Sequence, residues 1–222
     1  MLGQKSNDQA ACAGFIGQAI ADVKRRMKEK DIVFLPGLRI PRIVDQYTYF
    51  GEQHAQDIMF GAVQQEWRFM DRAATVPLLS QLLGKGAVVI LEAPTPVFGA
   101  PTFRCADWFN RTNPICDAGP TIGHATIEQL RAPVMEEFRA VTKAVPGVHV
   151  WDPLPMLCPG EVCSAYEGDK PLFFDADHLS GYGNRKLAPV FEAFLSRLGR
   201  ERKEGQGSAL DPLGPAAPDP RR

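Results

Sequence analysis

Asp175 and His178 stand three residues apart in the stretch FFDADHLSGYGN, directly after the short apolar run at 172–174. A carboxylate hydrogen-bonded to one imidazole nitrogen fixes the ring tautomer and stabilises the imidazolium. The other nitrogen is then free to take a proton from a hydroxyl. The pair therefore has the chemistry of the supporting half of a hydrolase triad, although a surface Asp/His pair has the same spacing. Asp177 and Ser180 lie in the same stretch. Asp177 is expected to be solvated or to pair with an arginine, and Ser180 to cap the helix that follows. Carboxylate and imidazole also suit a divalent ion, so Asp175, Asp177 and His178 form a possible ligand set. Three ligands so close in one loop rarely converge, and neither a metal nor another cofactor is expected.

The elements that must position this pair alternate between helix and strand. Residues 10–30 carry Phe15, Ile16, Ala19, Ile20, Val23 and Met27 at three- and four-residue spacings and end in a basic turn, which predicts a helix. The uninterrupted apolar runs in DIVFLPG, AVVILEAP and VHVWDP read as parallel strands covered on both faces. Helices are expected at about 67–83, 127–145 and 183–198, the last burying Leu187, Val190, Phe191 and Phe194. This pattern predicts an α/β domain with a parallel sheet, whose ligands bind beyond the C-terminal ends of the strands. One domain is expected over residues 1–199. Residues 200–222 mix charge with Pro and Gly and are expected to be disordered.

Lys plus Arg (25) balance Asp plus Glu (26), so no overall field draws the chain to nucleic acid or to an anionic membrane. No window reaches the ~18 apolar residues of a membrane span, and the sequence as it stands shows no export signal. Cys105 with Cys116, and Cys158 with Cys163, bracket short polar loops, and two disulfides fit them. Reduced thiols in a cytosolic protein are the alternative. Cys12 is left over. His54, His124 and His149 read as structural or surface residues. Trp108 could line an acyl or sugar cleft, or pack on the loop between Cys105 and Cys116.

The sequence resembles the SGNH superfamily of hydrolases and acyltransferases, in particular the domain that accompanies bacterial polysaccharide O-acyltransferases. The resemblance is carried by DADHLS followed by Gly and a helix, by DIVFLPGLRIPR and VVILEAPTPVF as strands with their loops, and by RCADWFN, NPIC and WDPLPMLCPGEVCS as cysteine-bearing loops. It covers residues 12–198 and implies a three-layer α/β/α sandwich of the flavodoxin-like kind. It further implies acyl transfer onto or off a carbohydrate hydroxyl, outside the cytoplasm or in the periplasm, with His178 as general base and Asp175 as its orienting partner. The implied partners are an acylated carbohydrate and a membrane acyltransferase domain encoded upstream.

Two departures qualify this resemblance. The family places its nucleophile in a Gly-Asp-Ser turn after the first strand, and none of Ser6, Ser80, Ser164, Ser180, Ser196 and Ser208 follows Gly-Asp. The sequence is therefore expected to lack the family's first strand, leaving an exposed apolar sheet edge and no partner for Cys12. Many relatives have Gly-x-Asn-Asp in the oxyanion block, where this chain has Gly37-Leu38-Arg39-Ile40. Gly37 and Arg39 are thus weak oxyanion or substrate candidates, equally well read as a turn glycine and a surface ion pair. An enzyme, a carbohydrate-binding or docking module, and a metal-dependent hydrolase remain the three readings.

Overall fold

The computed structural model describes residues 9–36, 72–84, 86–110 and 112–207. By its internal contacts the chain divides into two compact units, Met1–Asn184 and Arg185–Arg222, where the sequence predicts one domain to residue 199. Gly37, Arg39, His54, Ser6 and Ser208 lie outside the described residues, as does the expected start of a helix near 67.

The first unit is built on a parallel sheet of β1 (Ile32–Leu35), β2 (Val88–Glu92) and β4 (Val148–Trp151), with β2 in the centre. Val33 is in register with Val89, and Val89 with Val148. All five residues of β2 are buried, which accounts for the unbroken apolar run VVIL that precedes Glu92: in a parallel sheet both faces of the central strand are covered. One face of the sheet presents Val33, Leu35, Val89, Leu91, Val148 and Val150. These pack with Leu79 and Leu82 of α2 (Arg72–Leu83) and with Val134, Phe138 and Val141 of α4 (His124–Ala144). The opposite face carries Phe34, whose ring meets that of Trp151 edge-on at 6.0 Å.

α1 (Gln9–Arg26) ends earlier than its periodicity suggests, because the chain turns at Lys30, whose φ is 72°. Of the apolar face expected on it, Met27, just past the helix end, is buried, whereas Phe15 and Val23 are exposed. Among the described residues β1 pairs with β2 alone. A cleft of about 430 Å³ is lined by residues of α1 and by Asp31, Ile32 and Val33.

Two short antiparallel ribbons were not foreseen. β3 (Thr121–Gly123) pairs with β5 (Val162–Ser164), and β6 (Tyr166–Glu167) with β7 (Lys170–Pro171). Between β2 and β3 lie a short α3 (Thr102–Ala106) and two single turns, Trp108–Asn110 and Pro114–Cys116. A further short helix, α5 (Leu154–Leu157), follows β4. Cys105 is bonded to Cys116 and Cys158 to Cys163. The first disulfide closes the loop that carries Trp108, and the second ties the end of α5 to β5.

The last helix, α6, spans Gly181–Gly207 and so continues through residues 200–207, which composition assigns to a disordered tail. The reason is local. Arg, Glu and Lys are good helix formers, and Arg197 and Glu201 form an i,i+4 ion pair at 3.8 Å. Within the second unit Phe191 and Phe194 stack at 6.3 Å, and the guanidinium of Arg197 lies over the Phe194 ring.

Candidate active site

Asp175 and His178 sit in the loop between β7 and α6, and backbone hydrogen bonds close that loop on itself. Phe174 N–H donates to His178 O at 2.7 Å, Ser180 N–H to Leu172 O at 2.9 Å, and Phe173 bridges Leu179. Distant elements then pin it. Phe98 N–H donates to Ala176 O at 2.8 Å, Phe103 N–H to Phe174 O at 3.0 Å, and Thr102 Oγ1 to Asp175 O at 3.0 Å. Tyr166 in turn donates its hydroxyl proton to Thr102 O. Beneath the loop, the buried rings of Phe98 and Phe173 pack edge-to-face at 4.9 Å.

Inside this frame Asp175 Oδ2 lies 2.8 Å from His178 Nδ1, while Oδ1 accepts the backbone N–H groups of Asp177 at 3.0 Å and His178 at 2.7 Å. Burial alone would raise the Asp175 carboxyl. The backbone N–H groups of Asp177 and His178 outweigh it, with the side chains of His178 and Asp177 acting in the same sense. The carboxyl is thereby lowered from 3.8 to about 2. Asp175 is thus ionised at neutral pH and aimed at Nδ1, which leaves Nε2 as the ring nitrogen able to accept a proton.

Of the two expectations for Asp177, solvation is overturned. Its side chain is 4 % exposed, and Oδ1 lies 3.0 Å from His178 Nδ1. The ligand-type atoms of Asp175, Asp177 and His178 all fall within 4.8 Å of one another, a convergence that their closeness in sequence makes improbable. Ser180 stands at the head of α6. Its Oγ accepts Gly183 N–H at 3.0 Å and donates to Pro171 O at 2.6 Å, which commits it to capping. Ser80 donates to Val76 O, and Ser164 Oγ accepts Tyr166 N–H.

Trp108 is 80 % exposed and meets Phe109, also exposed, edge-on at 5.8 Å. Sequence reasoning missed a second exposed pair, Phe103 and Phe174, stacked at 5.4 Å. Phe174 directly precedes Asp175, so an aromatic surface adjoins the Asp–His loop. His124 opens α4, with Nδ1 2.8 Å from Gly160 O, and has a structural role. His149 lies within β4.

Over residues 1–193 the chain matches the family described as SGNH domain (fused to AT3 domains). The chain belongs to this family. No curated protein and no solved structure matches it. Membership of the SGNH family gives the parallel sheet and helices their fold class, α/β. The family's fusion to AT3 acyltransferase domains assigns this SGNH domain an acyl-related role and associates it with a membrane acyltransferase. The two disulfides, together with that association, point to an extracytoplasmic setting. No helix among the described residues is long and apolar enough to cross a membrane.

Proposed function

We propose that this SGNH domain transfers or hydrolyses O-acyl groups on a cell-envelope carbohydrate in the periplasm, with His178 as general base and Asp175 as the carboxylate that orients it. The observation that carries this reading is the 2.8 Å contact between Asp175 Oδ2 and His178 Nδ1, in a loop whose other hydrogen bonds keep the carboxylate ionised. A serine would attack the acyl carbon as Nε2 takes its proton. Nε2 would then give that proton to the departing alcohol oxygen, and the acyl-enzyme would pass its acyl group to a sugar hydroxyl or water, whose own proton goes through Nε2 back to the serine oxygen. No Gly-Asp-Ser triplet occurs in the sequence, and Ser80, Ser164 and Ser180 are bonded elsewhere, so the reading assigns the nucleophile to a segment beyond these 222 residues. Gly37 and Arg39 remain candidates for the oxyanion side, and Trp108 for the substrate side.

The exposed pairs Phe103–Phe174 and Trp108–Phe109 favour a second reading, in which the chain binds acylated carbohydrate without turning it over. One experiment separates the two. On an aryl acetate the chain alone should be nearly inactive, and joining it to a segment bearing the Gly-Asp-Ser turn should produce turnover that His178→Ala abolishes. Robust, His178-dependent esterase activity of the chain alone would refute the external serine. Glycan binding without turnover in the joined protein would refute catalysis.

A further inference from the structure

Two carboxylates, rather than one, face the same nitrogen of His178. Asp175 Oδ2 hydrogen-bonds Nδ1 at 2.8 Å, and Asp177 Oδ1 lies 3.0 Å from the same nitrogen as an ion-pair contact, so a second carboxylate stands within reach of the one N–H proton. Their surroundings differ. The side chain of Asp175 is 39 % exposed and that of Asp177 is 4 % exposed. Asp175 therefore shares its site with water, while Asp177 is enclosed. A buried carboxyl is costly unless hydrogen-bonded, and an ordinary surface ion pair would not bury one.

The arrangement follows from the loop. Ala176, between the two aspartates, is held through its carbonyl by Phe98 N–H, and Asp177 N–H is held by Asp175 Oδ1. Together these turn both carboxyls toward the ring instead of to opposite sides of the chain.

We propose that Asp177 is a second positioning residue for His178, able to hold the Nδ1 proton, and with it the tautomer that leaves Nε2 basic, when Asp175 does not. In a triad with one carboxylate, replacing the aspartate by asparagine presents an amide to the ring and yields the wrong tautomer. Here the same change at Asp175 leaves an acceptor in place. The inference deepens the assignment of His178 as general base, but its test reads a ring proton rather than turnover.

The test uses the whole chain, isotope-labelled at nitrogen, with spectra taken at the alkaline plateau of the ring signals. Correlation of the ring carbon-bound protons with Nδ1 and Nε2 reports which nitrogen is protonated, and His178→Gln identifies the His178 signals. Wild type and Asp175→Asn should both favour Nδ1–H by about tenfold or more, as a hydrogen bond to a charged acceptor supplies. Asp175→Asn/Asp177→Asn should move the proton to Nε2.

A shift to Nε2–H in Asp175→Asn alone overturns the proposal. That variant alters the half-exposed carboxyl, so the decision stands even if the Asp177 substitution fails to fold, and Asp175→Ser provides an independent replicate. Loss of the His178 Nδ1–H signal on adding zinc to the wild type would also overturn it, since the three groups would then be metal ligands. An Nδ1–H tautomer retained in Asp175→Asn, alongside a serine-completed domain that lacks turnover, would refute the catalytic reading and leave the positioning intact.

Discussion

Gly183 offers the sharpest test of how the Asp–His loop is held, because the constraint is purely steric. It lies in the first turn of α6, and a Cβ built on it would fall 2.1 Å from Leu172 O, 3.1 Å from Leu172 C and 3.2 Å from Leu179 Cδ2. The nearest two atoms are backbone, so no rotamer change relieves the clash. Helix and loop must separate by on the order of 1 Å to regain van der Waals distance. Leu172 O is also the acceptor for Ser180 N–H at 2.9 Å, and Leu172 and Ser180 are both buried. Gly183→Ala therefore combines overpacking, about 1–3 kcal/mol, with a weakened buried hydrogen bond, about 1 kcal/mol. The gain in helix propensity offsets about 0.5–1 kcal/mol of this. A net loss of about 2–3 kcal/mol corresponds to a melting temperature roughly 5–10 °C lower for a chain of this size. Circular dichroism melting measures it, and in the same sample the Nδ1–H signal of His178 should broaden, because the Leu172–Ser180 bond closes the loop that holds the ring. Melting of Gly183→Ala at or above the wild-type temperature would refute the reasoning.

The remaining predictions concern charge and helix propensity. Asp175 has its folded pKa lowered from 3.8 to about 2, so its contribution is fully present above the unfolded value and is lost as pH falls toward 2. After discounting for its 39 % side-chain exposure the contribution is about 1 kcal/mol, and the advantage of wild type over Asp175→Asn in melting temperature should shrink on acidification across that window. Arg131 is 1 % exposed and bonds Asp152 Oδ2 at 2.6 Å, while its Nε and Nη1 have no hydrogen-bond partner among the described residues. Asp152→Asn, which leaves the buried guanidinium only the exposed Glu128 at 3.6 Å as an ionic partner, should cost about 3 kcal/mol in urea unfolding. Arg131→Met, which leaves the 36 %-exposed Asp152 to water, should cost less, and the reverse order would contradict this account. Gly199 lies within α6 with nothing within 4 Å of a built Cβ, so Gly199→Ala should stabilise by about 0.5–1 kcal/mol, and a lower melting temperature would contradict it.

The fold was legible where physics is local. VVIL was legible because a central parallel strand is covered on both faces and so need not alternate polar with apolar residues, and the apolar-rich IVFL and VHVW flank it in the sheet. The helix of residues 124–144 followed from its periodicity. The ribbons β3–β5 and β6–β7 are two or three residues per strand, too short for a period-2 pattern to register. Residues 200–207 misled for the opposite reason. Charge and glycine counted against order there, while the helix-forming tendency of Arg, Glu and Lys, extending a helix already nucleated upstream, counted for it.

The same division runs through the site. Asp175 and His178 could be paired from spacing because both belong to one loop and the contact is short-range. Asp177 could not. Adjacent side chains point to opposite sides of a strand and diverge on a helix, so an Asp immediately before a His reads as facing away from it. What turns Asp177 inward is the bond from Phe98 to the Ala176 carbonyl, a contact across more than seventy residues that no local pattern encodes. Phe103 and Phe174 meet in the same way, through the docking of α3 on the loop by Thr102 and Phe103. A sequence can thus present the dyad, whereas the second carboxylate and the aromatic surface beside it exist only once β2's loop and α3 have closed over residues 173–178. Changes that loosen that closure should therefore disturb Asp177 before Asp175, whose hold on His178 is made within the loop itself.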